Sequence, residues 1–171
     1  MMAGVSPNED SYFGTSVFQH AKNRSLWLML LMLSATVSGE ILAHYEKAMA
    51  AMPVLITFIP MLMGTSGNSG SQSSTMVIRG LAVGEIQFKD FFRVVFKEIR
   101  VALIVGVLLA IVNGVRVYLM YDQDLTLAIA IGITMIAIVC MAKCVGCTLP
   151  LLAKKIGLDP ALMAAPLIST I

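Results

Sequence analysis

Charged residues are scarce in this 171-residue chain, where Asp, Glu, Lys and Arg together make up 13% and hydrophobic residues make up 58%. A soluble domain carries about 25% charged residues. A small soluble fold cannot hide so much apolar surface, because it buries only part of what its unfolded chain exposes. The composition therefore excludes an ordinary soluble domain and predicts a protein whose solvent is lipid.

The residues that several other classes of protein need are also missing. A net charge of +2, without a Lys/Arg-rich run, argues against nucleic acid as a partner. The three cysteines, Cys140, Cys144 and Cys147, are an odd set that gives no disulfide framework. A structural zinc site needs a fourth ligand, and neither His20 nor His44 lies near them in the sequence. We therefore expect the cysteines to be small packing residues.

Long apolar stretches are what the chain has instead. A helix needs about 20 residues to cross the hydrocarbon core of a bilayer, and four stretches qualify, at about residues 25–44, 53–78, 98–120 and 125–149. Asp159 and Pro160 then mark another helix start, as an N-cap and a first helical residue. Residues 160–171 span only about 18 Å of helix. We therefore expect an all-α, polytopic bundle of five transmembrane helices per subunit, the fifth incomplete, in a piece of a longer protein.

Basic residues predict the orientation of this bundle, because cytoplasmic loops carry an excess of Lys and Arg. Most of them precede the first span, separate the second from the third, or follow the fourth. Only Lys47 and Arg116 fall on the opposite side. The amino terminus is thus predicted to be cytoplasmic. Residues assigned to the cytoplasmic side are Lys22, Arg24, Arg79, Lys89, Arg93, Lys97, Arg100, Lys143, Lys154 and Lys155.

The second span contains an unusually polar part, residues 64–75, made only of Gly, Ser, Thr, Asn and Gln; we call it the polar stretch. Unsatisfied polar groups in lipid cost several kcal/mol each, so this part must face protein or water. Two structures meet that requirement. One is a loop between two shorter helices, and the other is a single long helix whose polar face is turned away from lipid.

Two roles are open for the polar stretch, and they are compatible. Small residues four apart, such as Gly67 and Ser71 or Gly70 and Ser74, let helix backbones approach closely. Alternatively, the hydroxyl, amide and carbonyl oxygens line a pore. Mg²⁺ prefers oxygen ligands and keeps several of its waters, so such a wall suits it better than Zn²⁺ or Cu, which favour thiolate and imidazole. The same wall would also suit water or a polar solute.

Two other patterns suggest different chemistry. Residues 64–67 read Gly-Thr-Ser-Gly, as in rhomboid-type intramembrane serine proteases, but Ser66 needs a base and His44 is expected half a membrane or more away. Glu40 and His44 are four apart on one helix face. They are either a metal or proton site or a solvated ion pair near the outer interface.

Longer motifs carry a family resemblance. Residues 58–73 and their continuation, 77–86, resemble the second transmembrane helix of MgtE-type magnesium transporters. Residues 149–161 look like the beginning of the family's fifth helix, and residues 165–170 look like the start of its pore-lining stretch. The resemblance covers roughly residue 16 to the end of the chain.

This resemblance implies a homodimer in the cell (inner) membrane, surrounded by lipid, with an axial pore that conducts Mg²⁺ down its electrochemical gradient. The second and fifth helices line the pore, and a magnesium-binding aspartate would follow two residues after Ile171. The backbone carbonyl of Ser169 faces the ion. The residues implied to line the pore are Gly64, Gly67, Asn68, Gly70, Ser71, Ala165 and Pro166.

The resemblance also implies a cytoplasmic region with paired CBS modules ahead of residue 1, which closes the pore when magnesium is plentiful. Residues 1–20 would then be the remnant of a connecting segment, and residues 21–171 the transmembrane pore domain. The chain would not be an enzyme. The alternatives are transport of another divalent cation such as cobalt or nickel, or of a neutral solute, and, in a different class, a rhomboid-like protease.

Overall fold

The computed structural model describes residue 14, residues 16–122, residues 124–157 and residue 160. Within these ranges the chain is helical and has no strand, so the prediction of an all-α protein is confirmed. Apart from residue 160, the predicted fifth helix lies outside the described residues, together with its Asp159 cap and with Ala165, Pro166 and Ser169. The helices are α1 (Val17–His44), α2 (Glu46–Ala51), α3 (Val54–Ala82), α4 (Phe91–Met120) and α5 (Leu125–Lys155), with a 3-10 helix at Phe88–Asp90.

The four long helices coincide with the four predicted spans but differ at their ends. Helix α1 begins at Val17, well before residue 25, because the Ser16 hydroxyl accepts a hydrogen bond from the Gln19 amide at 3.2 Å and caps it. Helix α5 begins where the Asp124 carboxylate accepts from the Leu127 amide at 3.0 Å. It continues to Lys155, six residues past the predicted end at 149. The outer connection between α1 and α3 contains the short helix α2.

Helix α3 is continuous over 29 residues, through both Pro60 and the polar stretch. Of the two structures predicted for this span, the single long helix is the one found. Side-chain hydroxyls help to make this possible, since Thr65 Oγ1 donates to the Met61 carbonyl at 2.9 Å and is satisfied within the helix. The polar side chains therefore do not need a loop.

Helix α5 is the centre of the bundle and packs along both α3 and α4. Buried apolar clusters lie at both ends of the α3–α5 interface: one is built around Phe58 and Ile131, the other around Val77 and Leu151. Between α4 and α5 the buried side chains include Val139. By contrast, α1 has its main described contact with α2 and leaves large apolar side chains exposed, among them Phe18, Met32, Leu33, Val37 and Ile41.

Two glycines bring α3 and α5 into backbone contact. A Cβ atom added to Gly146 of α5 would collide with the carbonyl group of Gly70 on α3. Small residues allow this approach, as the packing interpretation of the polar stretch expects. The rotation of α3 about its axis is therefore such that Gly70 faces α5.

Helix α5 is also the one described helix that is long and apolar enough to cross a membrane by length and composition, with a mean hydropathy of 2.6 over its most apolar 18 residues. Helices α1, α3 and α4 have 28, 29 and 30 residues. At a rise of 1.5 Å per residue they are roughly 42–45 Å long, which is sufficient to span a bilayer. Their crossing of the membrane stays a prediction.

The glycine contact predicts a sharp difference between two Gly→Ala substitutions. Gly146→Ala forces α3 and α5 apart and should lower the free energy of unfolding by about 1–3 kcal/mol, the usual range for overpacking. Gly39→Ala on α1, where a Cβ meets nothing within 4 Å, should be neutral or stabilising because Ala favours a helix. Thermal unfolding of the two purified variants in detergent measures the difference. Equal unfolding temperatures would show that α3 and α5 do not touch here.

Candidate functional site

The polar stretch of α3 has two opposite faces. Its packed face consists of Ser69, Gly70, Ser73 and Ser74, all buried against the bundle. Its open face carries side chains that the described chain leaves exposed or half-buried. Because residues three, four and seven apart share a helix face, these positions form one continuous strip. The open face consists of Gly64, Gly67, Asn68, Ser71, Gln72 and Thr75.

The structure thus separates the residues that the sequence grouped together as pore-lining. Gly64 and Gly67 lie on the open face, where an added Cβ meets nothing within 4 Å, and Asn68 and Ser71 lie beside them. Gly70 lies on the packed face against Gly146. Its side of the helix contributes to packing rather than to an open surface. The remaining predicted residues, Ala165, Pro166 and Ser169, lie outside the described residues.

The open face offers neutral oxygen donors and no charge. Its side chains are amides and hydroxyls, those of Asn68, Ser71, Gln72 and Thr75. The described part of the chain contains no group of three or more His, Cys, Asp or Glu residues that could hold a metal ion. Such a surface can hydrogen-bond the water shell of a hydrated cation without removing it, and Mg²⁺ usually keeps several of its water molecules.

A buried polar cluster, Ser73–Glu98–Lys143, joins three helices just behind this strip. Ser73 on α3 donates its hydroxyl hydrogen to Glu98 Oε2 on α4 at 2.5 Å. The Lys143 ammonium on α5 donates to the same Ser73 hydroxyl at 3.2 Å. Lys143 Nζ and Glu98 Oε2 are 3.9 Å apart, and the two side chains are only 5% and 15% exposed. The Ser73 hydroxyl therefore bridges an ion pair inside the bundle.

The position of Lys143 corrects the sequence analysis, which counted it with the loop after the fourth span. It lies inside α5, and its side chain is buried. The prediction was wrong because the lysine charge was assigned to a loop, although the predicted span 125–149 contains residue 143 and residues 144–153 remain apolar. Lys154 and Lys155, also counted with that loop, form the last turn of α5. A charged residue inside an apolar membrane helix is a functional candidate by default. The sequence alone shows that Lys143 is such a residue.

A cleft of about 1010 Å³ opens beside the cluster, between α3, α4 and α5. Its polar lining includes Gln72 from the open face and both members of the ion pair. Arg93, Lys97 and Arg100 also line it, spaced along α4 so that they share one side. The cleft therefore connects the open face of α3 to the basic end of the bundle, whose cytoplasmic position stays a prediction from the positive-inside rule.

Comparison with known proteins identifies a family for the helices that carry these residues. The sequence profile described as "MgtE: Divalent cation transporter" matches residues 59–171, which include most of α3 and all of α4 and α5. The chain belongs to the MgtE family. Membership implies a membrane protein, and the family is described as one of transporters rather than of enzymes. The polar stretch and the Ser73–Glu98–Lys143 cluster both lie within the matched region.

Three curated members of the MgtE family are similar to most of this chain. The "Magnesium transporter MgtE" of Thermus thermophilus is 37% identical over 148 residues, covering 86% of this chain and 32% of the relative. Those of Bacillus subtilis and Enterococcus faecalis are 29% and 28% identical, covering 98% and 99% of this chain and 37% of each relative. The chain therefore spans about a third of the length of these MgtE proteins.

The other sequence candidates lie apart from the polar stretch. Ser66 is half-buried within α3, and among the described residues its hydroxyl has no histidine within hydrogen-bond distance. Glu40 and His44 are exposed at the end of α1, where the His44 ring packs edge-on against Tyr45. Among the described residues, neither Ser66 nor the Glu40–His44 pair forms a catalytic arrangement.

The cysteines and Asn113 also have local explanations. All three cysteines are free and lie within α5, and the thiol of Cys147 donates to the Cys144 carbonyl at 3.2 Å. Asn113 of α4 accepts a hydrogen bond from Arg116 of the same helix at 3.2 Å. Among the described residues, the side-chain amide nitrogen of Asn113 is buried without a hydrogen-bond partner. These residues support the helices and do not form a second site.

The buried ion pair predicts a non-additive pair of substitutions. Lys143→Met leaves a buried carboxylate without its counter-ion, and Glu98→Gln leaves a buried ammonium without one, so each should lower the free energy of unfolding by about 3–5 kcal/mol. The double variant removes both charges and should recover most of the loss. Unfolding of the four purified proteins in detergent gives the coupling directly. Lys155→Met, at an exposed position of α5, is the matched control; additive single effects would contradict the pairing.

Proposed function

We propose that this chain contains the transport path of a magnesium transporter, with the open face of α3 as one wall. Mg²⁺ would move through it as a channel-like permeant, down its electrochemical gradient. The name that the three relatives share, and the family's description as divalent cation transporters, support this substrate class. The two-faced polar stretch of α3 is the structural observation that carries the proposal.

That observation has a physical basis. An uninterrupted strip of Gly, Ser, Asn, Gln and Thr side chains, left uncovered on a helix whose other face is packed, would be costly against lipid. It must therefore meet either water or another polar surface. A water-filled path on that side meets the requirement along the whole strip, and Gly64 and Gly67 widen it because they project no side chain.

The chemistry of the strip suits a hydrated divalent cation. Mg²⁺ loses its water reluctantly and usually keeps several water molecules when proteins bind it. Neutral amides and hydroxyls such as those of Asn68, Ser71 and Gln72 can accept and donate hydrogen bonds to that shell. Since they carry no charge, they hold the ion weakly, and weak holding is what rapid conduction requires.

The opposite wall of the path is proposed to come from a second subunit and from the fifth helix. In a homodimer with an axial pore, the open faces of two α3 helices would look onto the same axis. Ala165, Pro166 and the carbonyl of Ser169 would contribute from the fifth helix, next to the family's aspartate. A CBS-type cytoplasmic region ahead of this chain would close the path at high magnesium.

The membrane potential supplies the driving force in this proposal. With an inside-negative potential, each elementary charge moved inward gains about 2.3 kcal/mol per 100 mV, and a divalent ion gains about twice that. Inward flow follows from the inside-negative potential, which attracts the cation whichever end of the bundle faces the cytoplasm. No coupled chemical reaction is required.

A single substitution on the open face tests the proposal. Gly67→Leu projects a bulky apolar side chain into the path and should reduce Mg²⁺ entry into liposomes by about tenfold or more, equivalent to at least about 1.4 kcal/mol in the barrier. The unfolding temperature should not fall, because a Cβ at Gly67 meets nothing within 4 Å. The measurement uses the full-length protein and a magnesium-sensitive dye inside the vesicles.

Gly39→Leu on α1, where a Cβ also meets nothing within 4 Å, is the matched control and should retain the parent rate. Undiminished entry through the Gly67→Leu protein would remove the open face from the path. Added Co²⁺ and Ni²⁺ distinguish the substrates: a Mg²⁺ path should be only weakly competed by them, whereas a path for those ions would carry them in preference.

A further inference from the structure

We propose that Lys143 is a positioning residue that acts through Ser73: it fixes the rotation of α3 about its own axis and so determines which polar side chains face the path. The effect on transport rests on the proposed function. The rotation of α3 concerns only how this helix packs, and it can be measured without measuring transport.

The polar stretch cannot determine its own rotation by burial. Hydroxyl-bearing or amide side chains occur on both of its faces, with Ser69, Ser73 and Ser74 on the packed face and Asn68 and Ser71 on the open face. In an amphipathic helix the apolar stripe selects the buried face. Here both faces are polar, so the hydrophobic effect distinguishes poorly between neighbouring rotations of this part of α3.

The observed rotation of α3 leaves two buried hydroxyl groups without a hydrogen bond. Ser69 Oγ and Ser74 Oγ are both buried without a hydrogen-bond partner. A buried hydroxyl that makes no hydrogen bond destabilises the arrangement that contains it. The buried apolar clusters around Phe58 and Val77 orient the two ends of α3, and a further contact on the same face must favour the observed rotation within the polar stretch itself.

The glycine contact alone does not supply this preference. Gly70 and Gly146 let α3 and α5 approach, but two hydrogen side chains offer no directional bond and tolerate small rotations. Ser73 is three residues further along α3 on the same face, so it lies next to the crossing point. There the contact is directional, because the Ser73 hydroxyl donates to Glu98 and accepts from Lys143.

Both hydrogen bonds at Ser73 involve a charged partner, and such bonds are stronger than neutral ones. The partners belong to α4 and α5, so the hydroxyl is held from two directions. A rotation of α3 by one residue position would remove Ser73 from both and leave the buried ion pair without its bridge. The cluster therefore favours one orientation of the whole polar stretch, including Asn68 on the opposite side.

Thiol accessibility in the full-length protein tests this inference. The native cysteines are first replaced, as Cys140→Ala, Cys144→Ala and Cys147→Ala, and single cysteines are introduced in turn. Asn68→Cys and Thr75→Cys report on the open face, and Ser69→Cys and Ser74→Cys on the packed face. In the parent protein a water-soluble maleimide should label the first pair and spare the second.

Adding Lys143→Met should reduce the ratio of the two labelling rates by about tenfold, a factor that corresponds to about 1.4 kcal/mol in the rotational equilibrium. Ser73→Ala keeps both charges and nearly the same volume, and should also reduce the ratio. The matched control is Lys97→Met, which removes an exposed lysine from the same cleft and should leave the ratio unchanged.

Exchange of the two charges, Lys143→Glu with Glu98→Lys, should restore the ratio, because a serine hydroxyl can donate to or accept from either partner. An unchanged ratio in a folded Lys143→Met protein would overturn the inference, and if that variant does not fold, an unchanged ratio in Ser73→Ala overturns it instead. Equal labelling of both faces in the parent protein would also overturn it. A preserved pattern without any Mg²⁺ entry would refute the proposed function alone.

Discussion

The backbone contact between Gly70 of α3 and Gly146 of α5 is the constraint on which the rest of the bundle depends. It brings a polar helix within reach of an apolar one, so that one side of the polar stretch is covered by protein. The other side, the open face, is not covered by the bundle and contacts whatever surrounds the chain. A side chain at Gly146 would separate the helices and also remove Ser73 from the reach of Lys143. Packing and path geometry are thus two results of one contact.

Close approach has an electrostatic consequence. Ions inside a protein are expensive to desolvate, and a pair offsets this only when its geometry and hydrogen bonding are good. Ser73 improves both, because its single hydroxyl serves the carboxylate of Glu98 and the ammonium of Lys143 at once. The pair is neutral as a whole. It can therefore lie beside a cation path without either repelling the ion strongly or trapping it.

Much of this architecture could be predicted from the sequence, for identifiable reasons. The long helices followed from apolar length, and the unusual character of α3 followed from its density of Gly, Ser and Asn. The roles of Gly67 and Gly70 could not be separated, because both belong to small-residue pairs four apart; only the position of α5 distinguishes them. Lys143 was misplaced because its charge was assigned to a loop, whereas a partner on α4 makes the charge tolerable inside the helix.

The absence of charge from the open face leads to a last step. A neutral wall lets a hydrated cation pass but does not raise the local concentration of cations. The electrostatic attraction must therefore come from another element. Glu98 cannot supply it, because Lys143 already compensates its carboxylate. Within the proposed function, the attraction is therefore expected from the fifth helix, where the resemblance to the MgtE family places an aspartate. The two walls would then have different roles: α3 would keep the ion hydrated and mobile, and the fifth helix would attract it electrostatically.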